Sequence, residues 1–104
     1  MPSPAQNQKG MTMLDKVSST QETAHFHRSA CKRHDEAQSA WERDPENAEL
    51  KRAADIAYNL MRSSMNGLID DIHDLACGML TREECRCLVV YRLDDTIALI
   101  DRLA

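Results

Sequence analysis

The sequence predicts an all-α domain, either an antiparallel three-helix bundle or a long helical hairpin with a first helix alongside. Three observations support this fold class. Apolar residues recur every three or four positions over long stretches, Gly and Pro are scarce at three each, and no stretch alternates apolar and polar residues as a strand does. The length of 104 residues corresponds to a single domain.

The longest periodic stretch, residues 45–77, predicts a central helix. Asp44 is a candidate N-cap, Pro45 suits the first helical position, and Gly78 favours a left-handed end. The other helices are expected to pack along this one. Its predicted apolar seam consists of Leu50, Ala54, Ala57, Met61, Met65, Leu68, Ile72, Leu75 and Met79.

A first helix is predicted over residues 20–43, because Ser19 and Glu22 have the spacing of a capping box. The stretch before it, residues 1–18, is predicted to be a flexible tail. Within this tail an apolar residue recurs every third position, which suggests a short amphipathic turn. The predicted apolar face of the first helix consists of Phe26, Ala30, Ala37 and Trp41, with His34 at its edge.

A third helix is predicted over residues 82–103, after a second capping box formed by Thr81 and Glu84. The connections at 43–45 and 78–81 are short, so consecutive helices should be antiparallel. The long central helix should extend past its neighbours and leave one end of its seam uncovered. The predicted core stripe of the third helix consists of Cys85, Val89, Leu93, Thr96, Ile97, Ile100 and Leu103.

Charge and composition restrict the possible functions. The net charge is -4, and residues 44–79 hold seven acidic against three basic side chains. An acidic central helix disfavours direct nucleic-acid binding, which requires a basic face. No apolar run is long enough for a membrane span, and no secretory signal is visible. The four cysteines form no disulfide-scaffold pattern, so we expect a cytoplasmic protein with reduced thiols.

Metal binding is the sharpest chemical hypothesis that the sequence offers. His27, Cys31 and His34 stand at i, i+4 and i+7, so one helix face carries all three. Zinc would need a further ligand, and Cys85 and Cys87 point too far apart to chelate together. The alternative is that these residues border the apolar stripe. We therefore assign no metal and no cofactor.

Cysteine catalysis is a weaker hypothesis, built on His27 and Cys31, which could meet across one helical turn. A nucleophile also needs an orienting group and a cleft, and the sequence indicates neither. No phosphate-binding loop, dinucleotide fingerprint or nucleophile elbow is present. We therefore expect a protein that is not an enzyme.

Two runs of sequence carry a resemblance to a known family. They are HFHRSAC at residues 25–31 and NLMRSSM at residues 59–65. With the length and helical plan of the chain, they resemble the QslA-type quorum-sensing anti-activators. The resemblance implies a protein–protein mechanism, in which the chain binds a LuxR-type transcription activator and blocks its dimerisation and DNA binding. It implies no catalytic residues.

The apolar arc of the predicted third helix is wider than packing within a three-helix bundle requires, which suggests a protein partner or a homodimer. Two other functional classes remain open: a structural or chaperone-like subunit of a larger assembly, and a metal-binding regulator. The candidate partner-binding residues are Leu88, Tyr91 and Leu99 on the third helix, with Met11, Leu14 and Val17 as a possible clamp.

Overall fold

The computed structural model describes residues 12–104, which fold into four α-helices. They are α1, Met13–Arg43; α2, Ala48–Leu75; α3, Arg82–Tyr91; and α4, Leu93–Leu103. The first two form an antiparallel pair, α3 packs on α2, and α4 packs on both α1 and α3. No strand occurs in this part of the chain, and the prediction of an all-α domain is confirmed.

The first helix begins earlier than predicted. Thr12 is its N-cap: the Thr12 hydroxyl accepts from the Asp15 N–H at 3.1 Å, and the Asp15 carboxylate accepts from the Thr12 N–H at 3.2 Å. The placement of residues 13–18 in a flexible tail was therefore wrong. Ser19 does not start a helix. It lies inside α1, where its backbone carbonyl accepts a hydrogen bond from the Thr23 hydroxyl. Residues 1–11 of the predicted tail lie outside the described residues.

The connection between α1 and α2 also differs from the prediction. Asp44 closes α1, and the side chain of Asn47 caps α2 by accepting from the N–H groups of Glu49 and Leu50 at 3.0 and 3.2 Å. The second helix therefore begins at Ala48, not at Pro45. Asn47 satisfies two of the free amide groups of the first turn, whereas Asp44 is occupied with the end of the preceding helix.

The turn after α2 adopts the left-handed conformation expected at Gly78, which has φ +84°. The preceding residue, Cys77, is also left-handed, with φ +52°. A side chain in this conformation costs roughly 1 kcal/mol, which glycine avoids. The chain then enters α3 through the predicted capping box of Thr81 and Glu84.

The predicted third helix is broken into α3 and α4 at Arg92, which has φ -130° and ψ 35°. Neither glycine nor proline marks this break in the sequence. The buried Thr96 hydroxyl lies 2.7 Å from the Arg92 carbonyl and 3.3 Å from the Leu88 carbonyl, so this side chain connects the first turn of α4 to the last turn of α3. The bend allows α3 to pack on α2 while α4 reaches α1.

The core lies towards one end of the α1–α2 pair. Both α3 and α4 contribute to it, as does the C-terminal half of α2. The two segments next to the α1–α2 connection, residues 34–43 and 48–60, contain one fully buried residue, Ala54. We call these two segments the arm. The core cluster consists of Ala24, Leu68, Ile69, Ile72, Cys85, Val89, Ile97 and Ile100.

Three residues predicted to face the core are exposed. Phe26 is 52% exposed, because the buried line of α1 runs through Ala24 and His27 on the other side of the helix. Met79 lies in the turn after α2 and is solvent-exposed, and Leu103 in the last turn of α4 is half-exposed. At Met79 and Leu103 the apolar spacing continues past the point where the helix or the packing that covers it ends. The other members of the α2 seam and the third-helix stripe are buried or half-buried.

Candidate functional site

An apolar surface lies where the start of α1, the end of α2 and the end of α4 meet. It contains two adjoining hollows of about 420 and 200 Å³ that share Leu75 and Leu103. The first is completed by Met13, Leu14 and Val17. The second is completed by Ile72, Ala76, Leu80, Leu88, Thr96, Leu99 and Ile100. We call the residues that line the two hollows the end surface.

Local structure explains why these side chains gather at one end. The Thr12 cap starts α1 early enough to carry Leu14 and Val17 alongside the last turn of α2. The break at Arg92 redirects the chain so that Leu99, on α4, lines a hollow together with Leu88, on α3. Leu14 is 61% exposed and Leu99 is 50% exposed. Water therefore reaches an apolar area to which all four helices contribute.

Four of the six residues proposed for partner binding lie on the end surface: Leu14, Val17, Leu88 and Leu99. Val17 is only 5% exposed, so it forms the floor of its hollow. Tyr91 is 73% exposed and lines a different hollow, at the junction of α3 and α4. Met11 lies outside the described residues.

Sequence reasoning left several members of the end surface out of the binding set. Leu75 and Leu103 were assigned to core seams, and Leu80 and Met13 were assigned to no face. Their apolar character and spacing were visible in the sequence. The early start of α1 and the break at Arg92 determine which face of each helix the other helices leave uncovered. The sequence predicted neither the early start nor the break.

Polar contacts hold α4 against α1 beside the end surface. The Asp101 carboxylate accepts from the Gln21 amide at 2.9 Å and lies 2.8 Å from His25 Nε2. The hydrogen bond from Gln21, followed by that from His25, lowers the pKa of Asp101. Arg28 pairs with Asp94 at the other end of α4. These contacts are exposed, so they fix the position of α4 more than they stabilise the fold.

A buried polar chain links α1 to α2. His27 Nδ1 lies 2.7 Å from the Ser64 hydroxyl, which donates to the Met61 carbonyl at 2.9 Å. Because the Ser64 hydroxyl donates its proton to the Met61 carbonyl, His27 must donate from Nδ1 to the Ser64 oxygen. The Nε2 atom of His27 can then accept a hydrogen bond. The Cys31 thiol lies 3.4 Å from that nitrogen. Every proton has an acceptor when the imidazole and the thiol are both neutral.

This arrangement has the order of nucleophile, base and orienting group that cysteine catalysis uses, and Ser64 is an orienting group that the sequence did not indicate. Its electrostatics differ from those of an activated thiol. Burial lowers the pKa of His27, and burial together with the Asp35 carboxylate raises the pKa of Cys31. Both shifts favour the neutral pair over a thiolate and imidazolium. The contacts fit a structural link between two helices.

The hypothetical metal ligands on α1 do not form a common site. His34 packs beside the Tyr58 ring, with centroids 5.7 Å apart, while His27 is engaged with Ser64. Among residues 12–104, no three His, Cys, Asp or Glu side chains converge as metal ligands. Cys85 is buried and Cys87 is exposed, in keeping with the prediction that they point apart.

Comparison with protein-family models, curated proteins and solved structures yields no match for this chain. Within the described part of the chain, none of the helices combines the length and apolarity needed to cross a bilayer.

Proposed function

We propose that this chain is a non-enzymatic regulatory protein that binds a protein partner through the end surface. The observation that carries the proposal is the continuity of its two hollows across all four helices. Large apolar side chains exposed together on a small domain are typical of an interaction site. The lining is mainly aliphatic, with Thr96 as its polar side chain.

The shape of the end surface suits an apolar helical face of a partner. An amphipathic helix presents anchors at i, i+3, i+4 and i+7, and such anchors fit elongated apolar hollows between helices. The charged residues at its border, such as the pair Lys16 and Asp74 at 3.6 Å, remain in water. Burial of apolar area would supply the affinity, and the border charges would contribute mainly to orientation.

We propose a LuxR-type transcription activator as the partner, which the chain would keep from dimerising and binding DNA. The support for this partner class is the resemblance of residues 25–31 and 59–65 to the QslA-type anti-activators. The end surface supports the mode of action, since an exposed aliphatic area can compete for the apolar interface of another protein.

The proposal is tested by pull-down from a bacterial lysate under reducing conditions, with three baits compared by mass spectrometry. They are the native chain, Leu99→Glu, and Ile56→Glu as the matched control, which changes an exposed apolar residue on the arm. We expect a LuxR-type activator with the native and control baits and at least about tenfold less with Leu99→Glu, because a charge in an apolar interface is costly. Circular dichroism checks that all three remain helical.

Two results of this experiment would count against the proposal. Equal recovery of the activator by Leu99→Glu would remove the end surface from the mechanism. Recovery of other proteins in place of an activator would reject the LuxR-type assignment. If an activator is recovered, an electrophoretic mobility-shift assay then shows whether adding the native chain releases it from its DNA.

A second candidate function is a helical subunit of a larger assembly, and the arm favours it. Ile56 and Leu60 are exposed on α2, four residues apart. A shallow hollow beside them is lined by Ala53, Ile56 and neighbouring residues of the same helix. An assembly subunit needs more than one contact face, and the arm would supply the second. Loss of captured proteins with Ile56→Glu but not with Leu99→Glu would favour this function.

A further inference from the structure

The exposed face of α4 carries an apolar residue between two opposite charges. Leu99 is 50% exposed, with Asp95 four residues before it and Arg102 three residues after it, both exposed. At about 100° per residue, the two charged side chains lie about 40° and 60° to the same side of Leu99. One edge of the helix therefore holds a carboxylate and a guanidinium on either side of an apolar centre. The Asp95 carboxylate also lies 3.4 Å from the Arg92 guanidinium of its own chain, so an opposing Arg102 would be its second cationic neighbour.

This pattern is complementary to itself when two copies of α4 are antiparallel. Asp95 lies about 6 Å before Leu99 along the helix axis and Arg102 about 4.5 Å after it. A two-fold axis through Leu99 brings each Asp95 opposite the Arg102 of the other copy, to within about 1.5 Å along the axis. A parallel two-fold arrangement would place the equivalent charges at the same height but on opposite sides of the contact, so it would form no Asp95–Arg102 pair. The charges therefore favour the antiparallel pairing.

We infer that a second copy of this chain occupies the end surface, with the two α4 helices packed antiparallel about a two-fold axis at Leu99. The two Leu99 side chains meet at the axis, and the hollow beside them, lined by Leu88 and Leu103, receives apolar side chains of the other copy. Two Asp95–Arg102 ion pairs flank this contact. The same patch serves both copies, as a two-fold interface requires.

The inference rests on the proposed function, because it takes the end surface to be the binding surface. It adds a regulatory consequence. A copy whose Leu99 contacts the Leu99 of a second copy cannot bind a different protein through the same residues. The dimer is therefore inactive in partner binding. Partner binding then requires dissociation of the dimer, because only the monomer has a free end surface. Each binding event shifts the equilibrium from dimer to monomer.

The test is analytical ultracentrifugation over a concentration series, with the native chain and two charge reversals, Asp95→Arg and Arg102→Asp. We expect a reversible monomer–dimer equilibrium for the native chain. Each reversal places like charges opposite one another at both ends of the contact, which should weaken self-association at least about tenfold. An equimolar mixture of the two variants should form dimers again, because every opposing pair in the mixed dimer has opposite charges.

The matched control is the pair Asp55→Arg and Arg62→Asp on α2, which has the same seven-residue spacing on another exposed face. These variants should dimerise as the native chain does. A native chain that stays monomeric throughout the series would overturn the inference. Dimerisation of both α4 variants alone, or failure of their mixture to dimerise, would overturn the pairing. The mixture also controls for folding, since unfolded variants could not restore a dimer.

The two proposals fail in different ways. A native chain that captures a LuxR-type activator but never dimerises contradicts this inference alone. A native chain that dimerises with the expected charge dependence but captures no activator contradicts the proposed function alone. In the second case the dimer would be the working form of the protein.

Discussion

At the scale of single residues, His27 is the least expected feature of the molecule. The sequence made it one of three possible metal ligands, although no metal was assigned; in the structure it is 2% exposed and joined to Ser64 of the neighbouring helix. A buried imidazole is tolerated because both nitrogens have partners. The signal in the sequence was the serine at position 64, which falls beside the predicted seam of α2 among aliphatic residues.

The buried position of His27 predicts a loss of stability in mild acid. Its pKa is lowered in the fold from an ordinary value of 6.5, so below that value the unfolded chain binds a proton that the folded chain excludes. The free energy of unfolding should therefore fall as the pH drops from about 7.5 to about 5.5. Denaturant titrations at several pH values measure this fall.

The variant His27→Gln should show a smaller fall, because its amide can donate to Ser64 without titrating. His73→Gln, on the exposed face of α2, is the control and should keep the native pH dependence. Asp101 does not interfere in this range, since its pKa is lowered from 3.8 and its contribution changes only in stronger acid. An unchanged pH dependence in His27→Gln would contradict the assignment of the titrating group.

At the scale of secondary-structure elements, the start of α1 shows how local signals compete. Two capping boxes are possible within eleven residues, Thr12 with Asp15 and Ser19 with Glu22, and the chain uses the first. Burial explains the choice. The earlier start places both Val17 and Thr20 within the helix, and both side chains are buried. A helix that starts at residue 20 would lose the packing of Val17.

The capping assignment predicts unequal effects of two similar substitutions. Thr12→Ala removes the side chain that accepts from Asp15 and should lower the free energy of unfolding by about 1 kcal/mol. Ser19→Ala changes an exposed residue inside the helix and should alter it by less than about 0.5 kcal/mol. Urea denaturation followed by circular dichroism measures both. The reverse order of effects would place the cap at Ser19.

At the scale of the whole molecule, the core is unevenly distributed along the 57 Å length of the described chain. Cover from α3 and α4 concentrates the buried residues around α2 positions 68–72, whereas the arm is two helices with one fully buried side chain. Helices of this length owe most of their stability to tertiary packing. The arm should therefore open more readily than the rest of the bundle.

Amide hydrogen exchange tests this difference. We expect the backbone amides of residues 66–72 and 97–100 to exchange at the slowest rates, near the limit set by global unfolding. Amides of residues 50–58 should exchange faster through local opening of the arm. Residues 50–58 and 66–72 belong to the same helix. Comparing their exchange rates therefore controls for effects that act on the whole helix. Equal protection along α2 would show that the arm is covered in solution, as by a second copy or another partner.

Local patterns in the sequence predict the helical class, the short antiparallel connections, the Thr81 capping box and most of the buried line from Cys85 to Ile100. These follow from periodicity and capping, which are local properties of the chain. It also proposed Leu88, Tyr91, Leu99, Met11, Leu14 and Val17 for partner binding, and four of these line the end surface.

Contacts between distant segments select which of several local signals the chain uses. The start of α1 at Met13, the break at Arg92 and the burial of His27 in place of Phe26 each depend on contacts between residues distant in sequence. The end surface forms where all four helices meet, so periodicity within one helix could not predict it. Local spacing fixes which face of a helix is apolar, but the packing of the other helices fixes which part of that face stays open to water.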